Sequence, residues 1–566
     1  MKALFKIVPR FYLPAALALM AGISPLRAQQ ETHVLSDAQL RTALASGVPR
    51  VVIDQDITLT LDDDATVAGR QLKVPVGVSL EFTNDSKLRK GMANVEIWLN
   101  GSVPSREQHC HFFDTGIDPN TSTPNEWAPG EIRGLFGGMA RRPEWWGASA
   151  SPDPITDPAV LETEDDTKAI NCAVGAILDT ALPPSGGNGG HTVLLSSGNY
   201  YISGPIVMSN SRCILRGVPE FGTKIRAFKR INSIPGWRWE DVKGAYSWVR
   251  ARQFFPPATN TGPFAFDNLV HEPNHTSMIY IGGFLVAQTG APIHIAHRSS
   301  TDFANSVHDL VLVALPESDL QMPMSLITNL TLPGTGFLQT GAEVNTLLEN
   351  IKGSNFSGYG IGFNSWALLR GVTIRNFDLG PVDPAATKAA HPIFVPSHIA
   401  AITVETGSIK SNHRGIFPKA SGFNKFDTIG ILSQGLVRIK DVAITDCHVG
   451  VDVMGNDGIG AVSLNGIDYD TGASLSPSPF APFAGVVRIR HYAFENQGAG
   501  NISSLLNNIT AGIAHADMPL LFEPGFTFSN GTSKIPTTAN PSSTLAFYGR
   551  THRWPNSRLG PAVTNP

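Results

Sequence analysis

From Val51 to Phe113 the chain alternates apolar and polar residues in short runs, VVIDQDITLTL, QLKVPVGVSLEF and ANVEIWLNGSV, each bounded by Gly, Asn or Asp. Period-two alternation between turn residues predicts β-strands, so residues 29–142 read as an N-terminal β-rich module. Pro143 to Ala148 (PEWWGA) closes it, and a stretch of Ser, Pro, Asp and Thr follows as a polar linker. The period then changes. Asp165-Asp166-Thr167-Lys168-Ala169-Ile170 opens an apolar-periodic segment through Leu178, which predicts one amphipathic helix with either aspartate as N-cap and first-turn acid. Beyond the glycines of SGGNGG, the runs HTVLLSSGNYYISGPIVM, CILRGV and GTKIRAF return to β periodicity.

The apolar positions also recur at longer range. Leu347 to Phe356 (LLENIKGSNF) matches Leu368 to Phe377 (LLRGVTIRNF) at an offset of 21 residues, and VRIKDVAI from Val437 matches VSLNGIDY from Val462 at an offset of 25. Periods of this length mean a solenoid whose loops vary while its coil stays constant. Residues 143–530 then form one stack of coils about 4.8 Å apart, in place of the three or four compact domains that 566 residues would otherwise suggest. Two insertions interrupt the stack. Residues 229–305 are aromatic and basic, with Trp237, Trp239, Tyr246, Trp248, Arg250, Arg252, Phe254 and Phe255. Of these Trp237, Trp239 and Trp248 are candidate sugar-stacking residues, the alternative being that the rings pack as the insertion's own core. Residues 381–425, with Pro381, Pro384, Pro392, Pro396, His391, His398, His413 and Arg414, read as a long loop over one face. Residues 531–566 are a polar, Pro-rich tail.

The Trp-Gly-Ala turn, the DDTxAI helix, the Gly-rich turn, the VLLxxGxYxISGPI strand pair and the following ILRG resemble the opening of the pectate-lyase-like superfamily, in its branch related to polygalacturonases. The likeness covers residues 143–228, with looser repeat character to about residue 525. It implies an all-β chain, a right-handed single-stranded parallel β-helix with a capping α-helix and, here, an N-terminal β module. It also implies an enzyme that acts on polysaccharides, although one fold hosts many reactions. The chain departs from the polygalacturonase pattern: it has no Asn-Thr-Asp, no Gly-His-Gly and no paired aspartates in the solenoid body. Val437-Arg438-Ile439-Lys440 does match that family's Arg-Ile-Lys piece. Arg553 to Arg558 has the RxPxxR spacing of pectate lyases, but in the terminal tail and without their Trp-Ile-Asp-His segment.

Composition fits this picture. Charged residues are 16% and hydrophobic ones 42%, which excludes a predominantly disordered chain, and 55 Gly with 41 Pro argue for many turns. Lys2, Lys6 and Arg10 before an apolar run from Phe11 to Ile23, then Leu26-Arg27-Ala28, read as a secretory signal peptide over residues 1–28. The expectation is an exported chain, secreted or periplasmic, with no membrane anchor. Removing those residues lowers the 43 Lys and Arg to 39 against 47 Asp and Glu, a net charge of −8, which argues against nucleic acid as a partner. Cys110, Cys172, Cys213 and Cys447 leave disulfide pairing open, with buried free thiols as the simpler reading. They form no zinc motif, and no cofactor or metal is expected.

On stacked coils, outward residues of neighbouring rungs line a lateral groove, so chemistry is sought there. In ITDCHVGVDVM (Ile444 to Met454) Cys447, Val449, Val451 and Val453 share the inward face, which places Asp446, His448 and Asp452 outward. The 25-residue offset sets Asp470 opposite Thr445 and beside Asp446, one strand spacing (about 5 Å) away. Glycoside hydrolysis needs such a pair, one carboxyl protonated and one ionised. Asp446 and Asp470 are the expected catalytic pair, with Asp468 as substitute and His448 and Asp452 orienting them. Glu405, His413 and Arg414, near His398 and Lys410, form a second constellation suited to an anionic polysaccharide or oligosaccharide. The favoured expectation is a secreted glycoside hydrolase. Its alternatives are a lyase acting by β-elimination on a uronate polymer, a transglycosylase of the inulin fructotransferase kind, and a glycan-binding adhesin or tailspike-like homotrimer.

Overall fold

The computed structural model describes residues 31–60, 70–83, 85–91, 95–103, 111–115, 126–179, 190–210, 212–231, 238–239, 243–244, 276–288, 291–297, 304–329, 346–363, 371–384, 386, 391–395, 401–410, 416–418, 425–427, 429–433, 436–445, 449–455, 462–465, 468–470, 486–491, 520–522 and 527–528. Within them the chain winds as a parallel β-helix. The first coil is His191–Leu194, Gly198–Ile202 and Ile206–Met208, and the second Cys213–Arg216, Thr223–Ala227 and Thr276–Ile281. From Ser306–Val313 onward the first two strands of a coil run together as one bent strand, repeated at Leu347–Ser354, Val372–Leu379, Ala401–Lys410 and Leu436–Thr445. These strands stack into a bent sheet of thirteen, and a parallel sheet of eight closes each coil.

The bend has a local cause. Asp309, Asn350, Asn376 and Thr406 all have left-handed backbones, with φ of 58°, 56°, 51° and 53°. The register stacks them, because their neighbours pair as His308 with Glu349, Glu349 with Arg375 and Arg375 with Glu405. Asp and Asn tolerate this conformation better than other non-glycine residues. One such residue reverses the in–out parity, so Val307 and Leu310, Leu348 and Ile351, and Ile374 and Phe377 all turn inward and are buried. Among the described residues these side chains belong to one apolar cluster that includes Val34 in the N-terminal strands and Val442 in the last of the bent strands named above.

The register corrects one sequence offset and bears out the other. Leu348 pairs with Ile374 and Gly353 with Leu379, a step of 26 residues where the sequence match suggested 21. The false match superposed Asn355-Phe356 on Asn376-Phe377; Asn355 is also left-handed (φ 61°) but lies at the next corner, five residues on. Val437 pairs with Val462, a step of 25 as expected. Both insertions are also redrawn. Thr276–Ile281, inside the first, is a strand of the closing sheet, while Gly283–Gln288 and Ala291–His297 form an antiparallel pair beside it. The second holds two coil strands, His391–Val395 and Ala401–Lys410, and so is not one long loop.

The N-terminal strands are parallel as well. Glu31–Val34, Arg50–Ile53 and Ser79–Phe82 form one small sheet, and Arg70–Val74, Val95–Leu99 and Ile132–Arg133 another. Buried Trp145 and Trp146, against Phe112, Phe113 and Phe136, join these strands to the coil stack. The capping helix is shorter than its periodicity suggests. It spans Thr167–Val174 and stops at Gly175, whose φ is 65°, and Leu178 is already in a strand. The polar stretch before it is folded rather than a free linker: Ser151 exchanges backbone hydrogen bonds with Asn199, and Asp157 caps a short helix at Pro158–Thr163. Cys172 and Cys213 are buried free thiols, as the simpler reading expects, while Cys110 and Cys447 lie outside the described residues. So does the signal-peptide segment. Among the described residues no helix is long and apolar enough to cross a membrane.

Inside the stack, one glycine makes room for a large neighbour on the adjoining coil. Phe377 lies next to Gly407 in register, and a Cβ added to Gly407 would sit 2.5 Å from the Phe377 ring. Val has the higher strand propensity, but overpacking of this kind costs about 1–3 kcal/mol. Gly407→Val is therefore expected to lower stability by that amount, read as a shift in urea midpoint at unchanged slope; a stabilised variant would contradict the packing.

Candidate functional site

The outward positions just before the bend form a ladder. Arg216 pairs with His308, His308 with Glu349, Glu349 with Arg375, Arg375 with Glu405, and Glu405 with Lys440. Each step is one strand spacing of about 4.8 Å. The alternation in SVHDL, LLENI, TIRNF and TVETG sets these side chains outward, because Val307, Leu348, Ile374 and Val404 beside them are buried.

The described side chains of the ladder are tied together. His308 Nδ1 lies 3.4 Å from Glu349 Oε2, and Arg375 Nε lies 2.8 Å from Glu349 Oε1. Arg216 Nε reaches Asp309 Oδ2 at 3.0 Å, and Asn350 Nδ2 donates to Asp309 Oδ1 at 2.7 Å. Asp309 is nearly covered, whereas Arg216 and Arg375 are 50% and 42% exposed. Burial holds the His308 pKa below the ordinary imidazole value of 6.5, with Glu349 and Asp309 offsetting part of that and Arg216 adding to it. Arg375 is held more firmly charged by its hydrogen bond to Glu349, with Glu405 adding to the effect.

The result is an imidazole whose burial favours the neutral form, set with Nδ1 toward a carboxylate that Arg375 fixes in turn. An imidazole held this way by a carboxylate has the arrangement a general base needs. The exposed guanidinium groups nearby are suited to carboxylates. The neighbouring limb adds Lys224, Arg226 and Lys352, half-exposed, and exposed Lys410. Against them stands exposed Asp378, which accepts a hydrogen bond from the Ser408 hydroxyl at 2.6 Å. Among the described residues no three His, Cys, Asp or Glu side chains cluster so as to hold a metal ion.

Of the residues picked from sequence, Glu405 is on this ladder, half-exposed beside Arg375. Asp468 and Asp470 lie in the strand Asp468–Asp470, opposite Ala443 and Thr445, so the 25-residue offset places these backbones correctly. Their side chains, and that of Asp452, lie outside the described residues. The Asp452 backbone belongs to the closing sheet, between Leu432 and Arg488, and not to the wall that carries Asp468 and Asp470. Asp446, His448, His413, Arg414, Trp237 and Trp248 are outside the described residues altogether. Trp239 is described and turns inward. It is 1% exposed, and its indole N–H donates to the Phe228 carbonyl at 2.9 Å, so this ring packs as core and presents no face to a sugar. Sequence reasoning missed His308, Glu349, Arg375 and Arg216. The signal available was a polar residue followed by Asp or Asn between apolar pairs, as in HDL, ENI and RNF.

No protein-family model matches the chain, and no curated protein does. Similar solved structures include the A-module of the mannuronan C-5 epimerase AlgE4 of Azotobacter vinelandii, 13% identical over 71% of this chain and 93% of that one, with a TM-score of 0.28. The A-module of AlgE6 from the same organism is 13% identical over 69% and 90%, with a TM-score of 0.26. ORF18 of Geobacillus virus E2 is 12% identical over 63% and 61%, with a TM-score of 0.24.

Proposed function

We propose that the chain is an exported carbohydrate-active enzyme that binds an acidic polysaccharide along the outer face of the bent sheet and cleaves it by β-elimination at His308. The observation that carries this reading is the His308 imidazole set against Glu349, with exposed Arg216 and Arg375 on the same ladder. In a uronate the hydrogen on the carbon next to the carboxylate is acidic, more so when cations neutralise the carboxylate. His308 takes that proton, the carbon–carbon double bond forms, and the bond to the leaving oxygen on the next carbon breaks. That oxygen takes a proton from solvent, leaving one new reducing end and one unsaturated uronate per cut. The chain as a whole is acidic, so the local cations Arg216, Lys224, Arg226, Lys352 and Lys410 supply the attraction for a polyanion.

The test is incubation with a panel of uronate-containing and neutral polysaccharides, following reducing ends together with absorbance in the unsaturated-uronate band. Both signals rising together on the acidic polymers is the expected result. Reducing ends without absorbance would overturn elimination, and retention without products would leave a glycan-binding protein.

A second reading, hydrolysis by Asp446 and Asp470 with Asp468 as substitute, is favoured by the pairing of Thr445 with Asp470. If it holds, Asp446→Asn and Asp470→Asn each lose reducing-end release while thermal unfolding is unchanged. Full activity in both variants would discard it.

A further inference from the structure

One corner of the stack is built differently. Where Ser306–Val313 and the bent strands after it turn on a single residue, the second coil places Gly217 to Gly222 between Arg216 and Thr223. The root of this loop is fixed. Val218 N donates to Thr223 Oγ1 at 2.8 Å, the Thr223 hydroxyl donates to the Ser196 carbonyl at 2.8 Å, and Gly198 N donates to the Gly222 carbonyl at 2.9 Å. A Cβ on Gly217 would lie 2.3 Å from the Asp309 carbonyl oxygen, so the loop leaves directly above the residue that holds Arg216. Its tip is strained: Glu220 and Phe221 have φ of 62° and 60°, conformations that a bulky side chain rarely adopts.

The strained tip delivers Phe221 along the stack. The Lys352 ammonium lies 4.2 Å from the centre of the Phe221 ring. In register Lys224 is followed by Val311 and then Lys352, so the ring from the second coil reaches a side chain two coils on and bridges the apolar Val311 position. Phe221 is half-exposed, and no carboxylate lies within ion-pair distance of Lys352 among the described residues. The ammonium covers one face of the ring, and exposed Asp378 is the register neighbour of Lys352. A sugar ring that carries an acid matches this pair by stacking its C–H side on the other aromatic face while its carboxylate meets the cation past the ring edge.

We propose that Phe221 and Lys352 form a subsite for one acidic sugar of the glycan, on the bent sheet beside the His308 ladder. The proposal rests on the acidic-polysaccharide reading above but concerns binding and not the proton transfer. The test uses the whole protein in affinity electrophoresis and calorimetry with polygalacturonate and alginate, and a neutral glucan as control. Phe221→Leu keeps an apolar side chain on the loop and is expected to weaken acidic-polymer binding roughly fivefold, while Phe221→Trp restores it. Lys352→Gln is expected to weaken acidic-polymer binding and flatten its salt dependence. Neither change should alter the thermal midpoint by more than a few degrees.

Unchanged affinity in both Phe221→Leu and Lys352→Gln, with the wild type retained and active, would overturn the subsite and leave elimination standing. A wild type that is retained but cleaves nothing would overturn elimination, and the two variants would still decide the subsite. A wild type retained by neither acidic polymer, or held as well by the glucan, would overturn both.

Discussion

Replacing His308 with Gln is expected to lower the rate of unsaturated-uronate formation by roughly 10²- to 10⁴-fold, the range a positioned general base contributes. The fold should survive the change. His308 is an outward side chain whose strand is fixed by buried Val307, Leu310 and Leu312, and Gln can still reach Glu349. The pH profile carries a sharper test. A base works only deprotonated, so activity falls as pH drops through the His308 pKa, and burial sets that midpoint below 6.5. Glu349 raises the value, so Glu349→Gln should move the acid limb to still lower pH while reducing the maximal rate through lost orientation of the ring. The measurement is kcat/KM against pH by absorbance for the wild type and both variants. A limb that stays in place in Glu349→Gln, or His308→Gln with more than half of wild-type activity, would remove His308 from the reaction.

The architecture was legible because it depends on periodicity, and the ladder was not because it depends on register. Strand-forming runs, a capping helix and a repeating coil follow from alternation and spacing, and the strands from His191 to Ala227 lie where the alternation put them. Register is a finer matter. Matching Asn355-Phe356 to Asn376-Phe377 satisfied the apolar positions nearby except Ile374, which fell on Gly353, yet it joined two different corners of the coil, since Asn355 and Asn376 are both left-handed. Five residues of slip hid that Glu349 faces Arg375. Had the bend residues Asp309, Asn350 and Asn376 been aligned instead, the ladder would have followed. The 25-residue step had no such competitor, and there sequence placed Asp470 opposite Thr445 correctly. Trp239 shows the converse limit: an aromatic-rich insertion says nothing about which ring packs inward, and this one is core.

Asp165-Asp166 was expected to cap the helix; Asp166 does stand at the N-cap, but its side chain makes no capping hydrogen bond and instead fastens the cap to the first coil, so a large stability effect is expected from it. Asp166 Oδ1 accepts from Ser149 N at 2.7 Å and Oδ2 from Tyr201 N at 2.8 Å, while Asp165 Oδ1 takes the Thr167 backbone N–H at 3.1 Å. Asp166 is 1% exposed, so removing its carboxyl in Asp166→Ala strands the buried Tyr201 N–H, at about 1–3 kcal/mol, and breaks the bond from the exposed residue Ser149, whose N–H water can reach. A loss of roughly 1–3 kcal/mol in urea unfolding follows. Asp166→Asn keeps one acceptor but turns its amide N–H groups toward the other donor, so about half of that loss is expected. The pH dependence has a definite sign. Burial pushes the Asp166 pKa well up, against the lowering effect of its two backbone hydrogen bonds and with Asp165 and Glu164 pushing the same way. A raised folded-state value means the stabilisation is fully present below the unfolded carboxyl pKa of about 3.9 and is lost as pH rises through the folded value. Stability of the wild type should therefore carry a downward component with rising pH that Asp166→Asn, having no proton to lose, does not show. Parallel stability–pH curves for the two proteins would mean that Asp166 is ionised in the fold, and a loss under about 1 kcal/mol in Asp166→Ala would mean that water reaches Tyr201 N as well.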